Sequence, residues 1–220
     1  MAKKIYISPS SQTANTYAVG NTNEAVQCRK IAVKVVEALK RCGFEAKTNV
    51  TEGKTMYDRV KESNSWGADA HIPIHTNACN GKVAGFRGFY YSASGEGYKL
   101  VSAIMDAVAP ITVGTSDGLS RQADLYEVKY STAPCAYLEL GFHDNKEEAQ
   151  YIIDHTEDLA EAICKGICKH YGVNYVAPKV DTQGLKIYRV QVGAFSKYSN
   201  AEAMLKKLKS AGYDAFITEK

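Results

Sequence analysis

Short apolar runs alternate with helical patterns of apolar residues along the first 171 residues of the chain. Residues 24–39, for example, place Val, Ala and Leu near helical spacing and are followed by Cys42-Gly43, a typical glycine stop. Strands are predicted at residues 5–7, 45–50, 70–74, 85–91 and 135–140, and helices at 24–39, 56–65, 98–108 and 147–171, the last with a break near His155. This alternation predicts an α/β fold, with a mostly parallel twisted sheet and helices on both faces.

The pattern changes near residue 174. Residues 174–184 contain Pro178 and Gly184 and lack periodicity, which is typical of a linker. Residues 185–220 predict a small β-α-β unit, with strands at 188–192 and 214–218 around a helix at 200–210. We therefore expect three parts: a domain at 1–173, a linker at 174–184 and a C-terminal unit at 185–220.

Composition limits the classes of partner. The formal net charge is +3 with no dense Lys/Arg block, so we expect no nucleic acid, although an anionic polymer would suit this charge. Neither a membrane span nor an apolar signal segment is recognisable, so synthesis in the cytoplasm is expected. The six cysteines form no CxxC pair, which favours buried, reduced thiols over a zinc knuckle.

Three polar motifs fall where predicted strands end or a helix begins. The first contains Glu24, the second contains His71 and His75, and the third contains Glu139 and His143. Reactive groups gather at the carboxyl ends of strands in an open α/β sheet, and imidazoles with carboxylates are the components of a catalytic zinc site. Simpler explanations exist: Glu24 would favour a helix N-terminus, and His75 would be a hydrogen-bonded histidine. Glu139 follows an apolar run, where a buried carboxylate needs a partner or a metal.

These motifs resemble the zinc N-acetylmuramoyl-L-alanine amidases of the Amidase_3 family over residues 4 to about 171. The resemblance implies that Glu24 and His75 are zinc ligands, that Glu139 is the catalytic carboxylate, and that Asn77 faces the substrate. It also implies cleavage of the amide bond between N-acetylmuramic acid and the L-alanine of the stem peptide in bacterial peptidoglycan, as an autolysin or a phage endolysin. The loops at 77–88 and 116–126 are interpreted as walls of a substrate groove. The motifs that carry the resemblance are Asn23-Glu24, Ala68-Asp69, Ile74-His75-Thr76-Asn77-Ala78 and Glu139 to Asn145.

The chain departs from the family at the first zinc-binding histidine, which usually follows the first strand. Here Ser11 occupies that place, and a neutral serine is a poor zinc ligand. We favour His143 as the third ligand. His71 is an alternative, although its Cα should lie about 13 Å from that of His75 along one strand. Gln12 could instead contribute its amide oxygen or position the substrate.

The departure motivates an alternative function, that of a catalytically degenerate protein that binds cell wall. A third interpretation is another zinc hydrolase, such as a carboxypeptidase, that acts on free peptides.

The C-terminal unit resembles half of a SPOR domain, a family that binds cell-wall glycan stripped of its stem peptides. Residues 188–195, 200–203 and 212–216 carry the resemblance. A unit of about 36 residues is too small to fold reliably alone. We therefore expect peptidoglycan as the partner, and two chains that pair their halves into a homodimer. Without a signal segment, the protein would reach the wall after lysis or phage-assisted release.

Overall fold

The computed structural model describes residues 2–179, 190–213 and 215–218. The chain divides into two compact units, Met1–Pro178 and Lys179–Lys220. The first unit extends a few residues beyond the predicted domain at 1–173. Residues 180–184 of the predicted linker lie outside the described residues.

Among the described residues, the first unit contains six strands, six α-helices and one short 3₁₀ helix at Ala109–Ile111. The helices are α1 (Glu24–Arg41), α2 (Met56–Trp66), α3 (Glu96–Val108), α4 (Tyr126–Tyr130), α5 (Lys146–Asp154) and α6 (Thr156–Tyr171). The strands are β1 (Lys4–Pro9), β2 (Glu45–Thr48), β3 (Ala70–Asn77), β4 (Arg87–Tyr90), β5 (Gly118–Arg121) and β6 (Tyr137–Phe142).

The strands form one sheet in the order β2-β1-β3-β6-β4-β5. Every neighbouring pair is parallel except β4 with β6. This confirms the predicted mostly parallel α/β sheet. The predicted break near His155 is also confirmed, because that residue caps the end of α5 and precedes α6.

Alternation along β1 shows that both faces of the sheet are covered. Ile5 and Ile7 belong to the apolar core, which also receives α1, α3 and α6. Tyr6 points to the other face, where its hydroxyl donates to Glu62 of α2 at 3.0 Å. In β3, His71 is the register partner of Tyr6, so its ring lies on the same face as Tyr6 and α2.

Local chemistry fixes the start of α1. The Asn23 side chain accepts a hydrogen bond from the Val26 amide, which places Glu24 at the first helical position. The helix ends at Cys42, and Gly43 follows with φ of +88°, a left-handed conformation that favours glycine. The start of α1 therefore delivers a carboxylate to the sheet edge.

Two short elements were not predicted. Residues 116–126 were interpreted as a groove loop, but they contain β5, and α4 follows at once. The four residues of β5 include only one large apolar side chain, and α4 spans only five residues. Elements this short carry too little periodicity to be detected from sequence.

In the second unit the predicted helix is confirmed as α7 (Tyr198–Ser210). Described residues 190–192 and 215–218 are not in strands, and the remaining residues of the two predicted strands lie outside the described residues. Within the described parts of the chain, no helix combines the length and apolar character needed to cross a bilayer.

Candidate metal centre and active site

His75, near the end of β3, lies between two carboxylates. Its Nδ1 is 2.8 Å from Glu24 Oε1, and its Nε2 is 3.4 Å from Glu127 Oε2. All three side chains are almost completely buried. A neutral imidazole has only one N–H, so both nitrogens can face carboxylates only if a second cation, a proton or a metal ion, occupies one contact.

The electrostatics of His75 reflect this arrangement. Burial alone would lower the pKa of its imidazole, but the contacts with Glu127 and Glu24 outweigh burial and raise the pKa to about 10. Without a metal, the ring therefore carries a positive charge at neutral pH. The contact between Nδ1 and Glu24 is a place where a metal ion would replace that proton.

Polar neighbours hold Glu24 in this position. Burial raises the pKa of its carboxyl, but hydrogen bonds, above all the one with His75, lower it overall. Asn15 Nδ2 donates to Glu24 Oε2 at 2.6 Å, and the Thr76 amide lies 3.4 Å from Oε1. The carboxylate stays ionised, as a metal ligand must be.

Gln12 reaches the same contact. Its Nε2 lies 3.4 Å from His75 Nδ1, and its Oε1 accepts from Asn15 Nδ2 at 3.0 Å. Rotation of the Gln12 amide would direct its oxygen at the space between His75 and Glu24, at the loss of the hydrogen bond from Asn15. Ser11, which occupies the place of the usual histidine, is partly buried.

Glu139 lies beside His75 on the neighbouring strand, as its register partner in β6. The residue as a whole is partly exposed, but its Oε2 is buried and has no hydrogen-bond partner. Burial raises the pKa of this carboxyl to about 8, with His75 opposing the rise and Glu24 adding to it. A buried carboxylate without a partner is costly, and such groups occur at functional sites.

The other proposed ligands contact different groups. His143 Nδ1 lies 3.1 Å from Thr76 Oγ1 and 3.0 Å from the Thr76 carbonyl oxygen. Thr76 and His75 are adjacent in β3, so their side chains point to opposite faces. His71 Nε2 lies 3.1 Å from Glu127 Oε1. Within the described part of the chain, neither His71 nor His143 has a ring nitrogen within 4.8 Å of donor atoms of both Glu24 and His75, themselves in contact. Neither histidine is therefore placed to share a metal ion with them.

Asn77 ends β3, as predicted, and is partly exposed. Its Oδ1 accepts from the Ala78 amide at 2.8 Å, and its carbonyl oxygen accepts from the His143 amide at 2.8 Å. The residue therefore fixes the turn that leaves the strand. Its predicted contact with substrate stays a prediction.

Glu127 is the site residue that sequence reasoning missed. It is 2 % exposed and belongs to α4, the short helix that was not predicted. Burial raises the pKa of its carboxyl, but hydrogen bonds from His71 and His75 outweigh burial and lower the pKa to about 2. The sequence signal is slight: one glutamate stands between the half-buried Leu125 and the buried Val128.

A second cluster of donor atoms lies elsewhere in the first unit. Cys42, Cys164 and Cys168 are buried, their sulfur atoms lie within 4.8 Å of one another, and they could hold a metal ion. Cys42 caps the far end of α1, about 27 Å along the helix from Glu24 at 1.5 Å per residue. This cluster is therefore separate from the predicted zinc site. Buried thiols were expected for all six cysteines, and only Cys79 is exposed.

The fold and the site together define a class of protein. An α/β sheet presents an imidazole and a carboxylate as paired donors, with a buried, unpartnered acid on the next strand. Those are the components of a metal-dependent hydrolase. The chain belongs to the N-acetylmuramoyl-L-alanine amidase family, which matches residues 5–169, and a SPOR domain matches residues 170–220. The predicted peptidoglycan amidase function is thereby confirmed.

Similar proteins cover most of the chain. A sporulation-specific N-acetylmuramoyl-L-alanine amidase of Bacillus subtilis is 24% identical, over 97% of this chain and 84% of that protein. The endolysin of Bacillus phage SPP1 is 27% identical, over 62% of this chain and 54% of the endolysin. The N-acetylmuramoyl-L-alanine amidase AmiC2 of Nostoc punctiforme has a similar structure, with a TM-score of 0.70 and 21% identity over 77% of this chain and 97% of AmiC2.

Proposed function

We propose that this amidase is zinc-dependent, with Glu24 and His75 as zinc ligands and Glu139 as the acid–base catalyst. The observation that carries the proposal is the 2.8 Å contact between Glu24 and His75, next to the unpartnered Oε2 of Glu139. The donor set fits zinc, which takes imidazole nitrogen and carboxylate oxygen and needs one coordination position open for catalysis. A zinc ion held there would supply Lewis acidity at the scissile carbonyl and make water more acidic.

Glu139 would move the proton. It lies beside His75 in the sheet, and burial raises its carboxyl pKa to about 8. An acid–base group works best when its pKa is near the working pH. The carboxylate would accept a proton from the attacking water and return it to the nitrogen of the departing L-alanine, which is left as a free amine.

The third ligand remains a prediction. His143 was favoured from sequence, but its Nδ1 contacts Thr76. Gln12 contacts His75 Nδ1 through its Nε2, so its amide oxygen would become a donor there only if the amide rotated and gave up the hydrogen bond from Asn15. An amide is a weaker zinc ligand than a histidine, so we expect weaker zinc binding than in relatives that keep the histidine.

The proposal is tested with purified protein and purified cell walls. Zinc content is measured by mass spectrometry, and wall cleavage is followed by turbidity and by release of new L-alanine amino groups. Shortened stem peptides without new L-alanine amino groups would point instead to a carboxypeptidase. Walls that bind the protein but are never cleaved would favour the alternative, a degenerate wall-binding protein, which the serine at position 11 in place of the usual histidine motivates.

We propose further that the SPOR-matching unit binds peptidoglycan glycan and pairs with a second copy. In the described part of this unit, α7 has no buried residue, while Val190, Tyr198 and Phe216 are 90%, 66% and 81% exposed. A second half-unit would cover such apolar surface. Sedimentation of the full chain should show a concentration-dependent dimer, and a strict monomer at high concentration would refute the pairing.

A further inference from the structure

Glu127 contacts three residues on two strands of the sheet face that carries the site. Its Oε2 faces His75 Nε2 at 3.4 Å, and its Oε1 lies 3.1 Å from His71 Nε2. Ser8 of β1 also donates its hydroxyl proton to Oε1. A carboxylate fixed through one oxygen by two neighbouring strands cannot rotate freely, so its second oxygen is held towards His75.

The helix that carries Glu127 is itself anchored. Tyr126 of α4 packs against Tyr57 of α2 with ring centroids 4.4 Å apart. The Asn64 side chain donates to the Tyr130 carbonyl oxygen at 2.9 Å. The position of the carboxylate is therefore set by α2 as well as by the sheet.

The contact between Glu127 and His75 Nε2 determines whether Nδ1 of the same ring can bind a metal ion. In the neutral ring that a metal requires, an Nε2–H that donates to Glu127 leaves the lone pair on Nδ1, which points at Glu24. A hydrogen bond from the second ring nitrogen to a carboxylate fixes the tautomer and orientation of a metal-binding histidine, and makes it a better donor. Tyr137 stacks on the ring at 4.7 Å and restricts its tilt from the side.

We propose that Glu127 is a positioning residue for the metal ligand His75, acting through Nε2, with Ser8 and His71 holding its carboxylate in place. This inference rests on the proposed zinc-dependent function. It adds a residue from outside the three strand-end motifs to the machinery of the site.

The test measures zinc affinity directly. Metal-free full-length protein competes with a chromophoric chelator for zinc, and the absorption spectrum of the Co²⁺ form reports ligand geometry. The variant Glu127→Gln keeps the shape of the side chain but offers a single acceptor oxygen, too few for both histidines. We expect zinc affinity to fall about 10- to 100-fold, the range found when such supporting partners are removed, and the Co²⁺ spectrum to change.

The matched control is Glu62→Gln. Glu62 lies on the same side of the sheet and accepts hydrogen bonds from Tyr6 and Asn49, but has no contact with His75. Because Glu62→Gln changes this face of the sheet without touching His75, it should leave zinc affinity and the Co²⁺ spectrum unchanged. Ser8→Ala removes one restraint on Glu127 and should weaken zinc binding by a smaller factor.

The outcomes separate this inference from the proposed function. Wild-type zinc affinity in a folded Glu127→Gln protein would overturn the role of Glu127 and leave the zinc-dependent function standing. If Glu127→Gln fails to fold, as judged by circular dichroism, unchanged zinc affinity in Ser8→Ala would overturn it instead. A wild-type protein that binds no zinc would overturn the proposed function and this inference together.

Discussion

Replacement of Glu139 by glutamine separates catalysis from folding. The substitution keeps the shape of the side chain but removes the group that accepts and returns the proton. A positioned acid–base group contributes about 10²- to 10⁴-fold to rate. At about 1.36 kcal/mol for each factor of ten, the activation barrier should rise by about 3–5 kcal/mol.

The same structure predicts that stability is not lost. Glu139 Oε2 is buried without a hydrogen-bond partner, so glutamine breaks no bond at that atom and replaces a carboxyl whose charged form burial disfavours. We therefore expect the free energy of unfolding of metal-free Glu139→Gln, measured in urea, to equal or exceed that of the wild type. Zinc affinity should also be retained, because Glu24 and His75 are untouched.

The assay is the release of new L-alanine amino groups from purified walls, measured beside zinc content and urea unfolding. Glu62→Gln is the control: it loses the ion pair with Lys47, its amide oxygen can still accept from Tyr6 and Asn49, and it should keep full activity per folded molecule. A Glu139→Gln protein that cleaves walls within a factor of about ten of the wild type would refute the assignment of Glu139 as the proton carrier.

Three further predictions follow from other parts of the chain. Protein stripped by a chelator should stop cleaving walls and regain activity with zinc, and zinc at about 100 times its Kd should add about 2.7 kcal/mol to the free energy of unfolding; activity that survives complete stripping would contradict the proposal. Gly166→Ala should lower that free energy by about 1–3 kcal/mol in urea, because the new Cβ would lie 2.4 Å from Ile104 Cα, where α3 and α6 touch; an unchanged midpoint would contradict this packing. Hydrogen bonds from the Lys3 side chain and the Lys4 amide lower the pKa of Asp69 in the folded state, so its stabilisation is present above the unfolded pKa and is lost as pH falls. Asp69→Asn should therefore cost up to about 1 kcal/mol at about pH 7 and almost nothing near pH 2, and an equal cost at both would refute the assignment.

The sequence was sufficient for the long elements and for the meeting of Glu24 and His75 at one edge of the sheet. The helix α1 shows why: its apolar spacing, the Asn23 cap and the glycine stop all specify the same boundaries. Once β3 was predicted to end near His75 and α1 to begin at Glu24, the parallel sheet required both at one edge. Their 2.8 Å contact follows from topology more than from any local feature.

A third side chain beside Glu24 and His75 could not be identified in this way, because its position depends on side-chain directions after the strand ends. His143 follows β6 by one residue, and the sequence permits its loop to fold towards either face of the sheet. In the structure its ring stacks on Tyr17, with centroids 5.6 Å apart, and contacts Thr76. Thr76 and His75 are consecutive residues of β3, so their side chains point to opposite faces of the sheet, and a histidine that contacts Thr76 lies on the face away from His75.

Glu127 shows a different limit. A buried carboxylate is recognisable from sequence only when a regular pattern predicts its burial, and α4 is too short to have one. Its partners, Ser8, His71 and His75, come from two strands that are far from it in the chain. Glu127 is recognised because a buried charge must be paired, and its pairing partners can be found only when the neighbouring side chains are known. His71, which sequence reasoning considered as a metal ligand, lies against Glu127, where an imidazole can support the carboxylate that supports His75.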